Sequence, residues 1–164
     1  MVPAFHVIGP FDASGGSLDS PFPPDGGVIL DGTYPGKGME VSWRPYRAHA
    51  GSVGLVEIFG HPDNLKDCVT YAACSVTSSR RIRTQIRFGS DDDALVHLNR
   101  REAWRFDGYR GVHFDSDIVP ITLERGENEI LIKIFNREGP WGFFLRITDA
   151  DGRPLRGLLF SPRI

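Results

Sequence analysis

The clearest pattern along the chain is alternation. In residues 80–88, Ile82, Ile86 and Phe88 fall on one side with Thr84, while Arg81, Arg83, Gln85 and Arg87 fall on the other. A period of two predicts a half-buried antiparallel strand. Residues 129–135 repeat it with Ile130, Ile132 and Ile134 inward. Residues 119–123 give a shorter version, and 143–148 another with Phe143, Leu145 and Ile147 on one side. Further strands are predicted at 4–8, 39–44, 68–76, 94–98 and 157–160. Turn residues separate them: Glu124-Arg125-Gly126-Glu127 links two strands, and Gly152 closes a tight turn after Asp149-Ala150-Asp151. No stretch has a long helical period, and 52–60 reads as a short helix or 3₁₀ turn. Eight or nine short strands with almost no helix predict an all-β fold, an antiparallel β-sandwich or barrel.

The N-terminal region departs from this pattern. Residues 9–36 hold Gly-Gly pairs, prolines at 10, 21, 23 and 24, and several aspartates. They predict a long irregular loop wrapped over the sandwich, within one domain spanning residues 1–164. At 164 residues, 40% hydrophobic and 24% charged, the chain can bury a core. No run of about 18 apolar residues exists, so no transmembrane helix is predicted. No signal peptide is visible at the N-terminus. The net charge of −2 gives no general attraction to nucleic acid or an anionic membrane. Cys68 and Cys74 share strand parity, which puts both on one face but about 20 Å apart at 3.3 Å per residue, beyond disulfide reach. They read as buried thiols.

Motifs for nucleophilic catalysis, dinucleotides and P-loops are missing, and no catalytic residue is assigned. His6, His49, His61, His97 and His113 lack close metal-ligand spacing. Two segments are informative. Phe88-Gly89-Ser90 runs into Asp91-Asp92-Asp93, three adjacent carboxylates that repel unless something neutralises them. The available agents are Ca²⁺ with hard oxygen ligands, arginine forks, or turn N–H groups. Residues 100–117 then mix aromatics, arginines and aspartates without clean periodicity, as a surface loop that grips a polyhydroxylated ligand would. In that reading Trp104 or Tyr109 stacks on a sugar, while Asp91, Asp92, Arg110 and Asp117 hold its hydroxyls. The alternative is structural: Trp104 and Phe106 cap the core, and Arg110 pairs with Asp115 or Asp117. Trp43 and Trp141 read as core. Arg81, Arg83 and Arg87 read as partners of neighbouring acids.

The stretches 88–92, 94–99, 119–128 with Leu131-Ile132-Lys133, and Trp141-Gly142-Phe143, taken in order, resemble the galactose-binding-domain-like jelly-roll accessory domains of bacterial glycan-acting proteins. That resemblance implies an antiparallel jelly roll, non-catalytic, with a structural Ca²⁺ and with sugar binding in some members. It also implies an extracellular or cell-surface setting as part of a larger protein. The group commonly reads Gly-Ser-Asp-Asp-Gly, then a Trp-containing strand ending Asn-Gly; here Asp93, His97 and Arg100 stand at the differing positions. A similar Asp-Asp pair coordinates Ca²⁺ and sugar in anthrax protective-antigen-type lectin domains, which by analogy makes Asp91 and Asp92 the metal ligands. The expected function is carbohydrate binding without catalysis, with no nucleic-acid or membrane partner. The alternatives are a module that packs against an adjacent catalytic domain, and a polysaccharide lyase or hydrolase.

Overall fold

The computed structural model describes residues 1–60 and 65–162. His61 therefore lies outside the described residues. In chain order the first strands are β1 (Ala4–Asp12), β2 (Thr33–Pro35), β3 (Glu40–Ser42), β4 (Arg44–Arg47) and β5 (Ser52–Gly54), followed by the short helix α1 (Leu55–Phe59). Then come β6 (Cys68–Ser78), β7 (Ile82–Asp91), β8 (Asp93–Leu98), β9 (Arg101–Phe106), β10 (Asp117–Leu123), β11 (Gly126–Asn136), β12 (Gly142–Thr148) and β13 (Leu159–Ser161). One sheet has the order β4-β1-β6-β11-β8-β9, with β13 also on β6; the other has the order β10-β7-β12-β5. All their pairings are antiparallel. The fold is an all-β antiparallel sandwich.

The alternating residues meet between the sheets. Ile86 and Phe88 of β7, Val119, Ile121 and Leu123 of β10, and Phe143, Leu145 and Ile147 of β12 face Ile130, Ile132 and Ile134 of β11 in one core. Cys68 and Cys74 lie in that core on one face of β6, and both are free thiols. Trp141 is buried there, against Phe59 of α1 at 5.9 Å.

The larger sheet is covered on its outer face too. Ile8, Tyr71, Leu95, Leu131 and Phe135 form a second core with Phe11, Leu18, Val41 and Trp43, and Phe22 and Leu30 pack against it. The stretch 9–36 is less irregular than its composition suggests: 9–12 prolong β1, Pro23–Gly26 makes a 3₁₀ turn, and β2 pairs with β3. Nor is 39–44 one strand. It breaks at Trp43, whose ring is buried under the flap, leaving β3 and β4 in different sheets. Polar ties hold this flap. Ile8, Tyr71, Lys133, Leu95 and Arg105 stand in register across five strands. Lys133, almost fully buried, donates to the Ser20 carbonyl at 2.8 Å and to Asp25 at 3.0 Å; Arg105 reaches Asp19 at 2.7 Å. Burial pulls the Lys133 ammonium below the ordinary lysine range despite Asp25.

Two further ties set the frame. The β8–β9 hairpin turns on Asn99 and Arg100, both at positive φ (51° and 63°). The Asn99 side chain accepts the Glu129 N–H and donates to Asn128, which bonds in turn to the 124–126 turn. At the other side of the molecule the His6 ring donates to the Pro162 carbonyl at 2.6 Å, beside the pairing of β13 with β6.

Candidate functional site

Residues 101–106, read above as part of a surface loop, form strand β9 on the edge of the larger sheet. The loop proper is 107–116. It folds back onto the outer face of the smaller sheet, and Gly89 makes this possible: a Cβ there would overlap the His113 carbonyl. Phe114 meets Phe144 edge-on at 4.4 Å. Asp115 receives Arg146 Nε at 2.7 Å and Arg87 at 3.4 Å. The bond to Arg146 holds the Asp115 carboxyl below its usual range.

The three aspartates at the β7–β8 turn have three different surroundings. Asp92 is 2% exposed and accepts backbone N–H bonds from Arg137 at 3.0 Å and Arg110 at 3.4 Å, with Glu138 adding a third. Burial still raises its pKa. Asp93 is 1% exposed, accepts the Gly108 N–H, and takes a two-pronged fork from Arg137 at 2.8 and 2.9 Å. Asp91 is half-buried, and its donors among the described residues are the N–H groups of Asp92 and Val112. Desolvation, then the charge of Asp92, push it up to about 6.

Arg110 is committed inward. It pairs with Asp117 at 2.8 Å, both side chains 15% exposed, and donates to Ser90 Oγ at 2.7 Å. Its guanidinium lies 4.0 Å over the Phe106 ring and 5.3 Å from that of Trp104. Trp104 is stacked on Phe106 and edge-on to Phe88 at 5.2 Å, against the core. The residue is half-buried between these neighbours. Tyr109 differs: the residue is 64% exposed, with the Arg137 guanidinium 5.2 Å from its ring centroid.

These groups surround a shallow hollow of about 420 Å³ lined by Asp91, Asp92, Tyr109, Arg110, Gly111, Glu138 and Pro140. Of the six residues named from the sequence, Asp91, Asp92, Tyr109 and Arg110 line it, whereas Trp104 and Asp117 stand behind Arg110. Sequence reasoning missed Arg137, Glu138 and Pro140. The Gly139-Pro140 pair marks a turn there, but nothing local shows that Arg137, just before it, abuts Asp92, 45 positions earlier. Among the described residues no three His, Cys, Asp or Glu side chains converge as a metal cage. The arrangement offers one flat apolar ring, one carboxylate with spare lone pairs, and a fixed polar rim.

A rigid sandwich whose loops at one end build a shallow aromatic-and-acid hollow defines the class. No protein-family model and no curated protein matches the sequence. Solved structures match the fold. The PA14 sugar-binding domain from an RTX adhesin aligns over 98% of this chain and 97% of its own, at TM-score 0.58 and 13% identity. The A domain of epithelial adhesin 9 from Candida glabrata, solved with Galβ1-3GlcNAc, aligns over 98% and 89%, at 0.54 and 10%. A β-glucosidase from Kluyveromyces marxianus aligns over 88% of this chain but 16% of its own, at 0.57 and 14%. At these identities the likeness is one of fold alone, an antiparallel β-sandwich.

Proposed function

We propose that this chain is a non-catalytic carbohydrate-binding domain that holds a glycan in the hollow beside Tyr109. The observation that carries the reading is an exposed tyrosine ring set next to a half-buried carboxylate that keeps hydrogen-bonding capacity. An aromatic face fits the C–H side of a sugar, and Asp91 is available to its hydroxyls. Two structurally similar domains, from the RTX adhesin and from epithelial adhesin 9, are a sugar-binding domain and a domain solved with a disaccharide. Their nature also supports a surface or extracellular setting for this chain. Trp104 drops out as a stacking platform in this reading, and Arg110 and Asp117 shape the rim from behind.

The test is a glycan array followed by calorimetry on the best ligand. Tyr109→Ala is expected to weaken binding about tenfold, or ~1.4 kcal/mol, and Asp91→Asn to weaken it as well, with thermal stability little changed because Tyr109 is exposed. Retention of no glycan across the array sinks the proposal. The β-glucosidase match favours a second reading, a module packed against a catalytic domain. That reading expects no glycan retention, and a partner surface at the exposed Val112 and Phe114.

A further inference from the structure

We propose that Arg137 is the built-in counter-cation of the acidic turn, so that the three loops around the hollow are held together without a divalent metal. Arg137 engages two of the three aspartates of the turn. Its backbone N–H donates to Asp92, its guanidinium forks onto Asp93, and the same guanidinium lies against the Tyr109 ring. Asp93 in turn accepts the Gly108 N–H, so one carboxylate joins the 137–140 turn to the 107–111 loop.

The donor geometry argues against Ca²⁺ at this turn. That ion takes six to eight oxygen ligands. Both oxygens of Asp92 already receive backbone N–H groups, each of which takes up a lone pair that a cation would otherwise share. Both oxygens of Asp93 receive Arg137. Asp91 is left as the carboxylate with room for a ligand. A planar fork satisfies two oxygens at once, which a lysine ammonium cannot reproduce. Arg137 is thereby a positioning residue for Tyr109: the fork fixes the guanidinium, and the guanidinium backs one face of the ring. Only this last step rests on the hollow being the glycan site.

Thermal melts of the full chain test the ionic part without any sugar. Wild type is expected to melt at the same temperature in EDTA and in millimolar Ca²⁺, a concentration that fills even weak extracellular sites. Arg137→Met should melt lower, and Arg137→Lys should recover little. The double variant Asp93→Asn with Arg137→Met should melt above Arg137→Met alone, since the stranded buried charge is gone. A Ca²⁺-dependent rise for wild type, an Arg137→Met melt equal to wild type, or a double variant no better than the single one each overturns the proposal. If neither variant folds, the wild-type comparison decides. Loss of glycan binding in Tyr109→Ala leaves these readouts untouched, so the two proposals fail separately.

Discussion

At the scale of single residues, position in a turn decides what an aspartate is for. Asp92 and Asp93 are spent on holding backbone and Arg137, while Asp91, one place earlier, faces the hollow. The run of three acids was legible as a problem needing neutralisation. The solution was not, because Arg137 and the amides of residues 110 and 138 arrive from two other loops. Asp115 gives a pH-dependent case. Its pKa lies below the ordinary 3.8, chiefly through the hydrogen bond from Arg146, so the charged form is favoured in the folded state. The stability it contributes is present above the unfolded value and is lost as pH falls through the folded one. The gap in melting temperature between wild type and Asp115→Asn should therefore be constant from neutral pH down to about 5 and shrink below about 4. A gap that widens on acidification would contradict the pairing.

At the scale of elements, β9 shows how local signals fail. A two-residue hairpin favours glycine at its left-handed positions. Here Arg100 occupies one at a φ of 63°, at a cost of about 1–2 kcal/mol for a non-glycine residue. The bonds of Asn99 to Glu129 and Asn128 offset that cost, and both partners lie some thirty positions away. Without Asn-Gly, and with Trp104 and Phe106 both half-buried, residues 101–106 lacked a readable period. Strands β7 and β10 were legible because burial alternates along them, one face toward the core and the other more exposed, and β11 and β12 because isoleucine, leucine and phenylalanine recur at every second position on their inner face. Gly89 is the matching test of loop placement. Gly89→Ala should cost about 1–3 kcal/mol by overpacking and dislodge the 107–116 loop. Calorimetry should show glycan binding lost while far-ultraviolet circular dichroism keeps its β signature; unchanged binding would show that the loop does not need to touch β7.

At the scale of the whole molecule, the larger sheet is sealed on both sides, by the smaller sheet and by the flap. Its buried thiols report on that seal. Desolvation pushes Cys68 up to about 12, and burial raises Cys74 as well. A thiolate-selective reagent should leave the native chain unmodified and label two cysteines on unfolding, and the melting temperature should ignore reductant. Rapid labelling under native conditions would mean that the core opens. The sandwich was readable because its inner faces follow simple parity. The outer core was not, since Tyr71 and Lys133 only make sense once a distant, proline-rich stretch lies over them.

The bond between His6 and the Pro162 carbonyl has an architectural consequence. The first strand and the segment that follows the last strand stand side by side, as at the neck of a bag. A domain with such a neck can be grafted into a surface turn of some larger host and leave the host's backbone almost undisturbed. The grafted body then hangs as an outboard pod, tethered at one point.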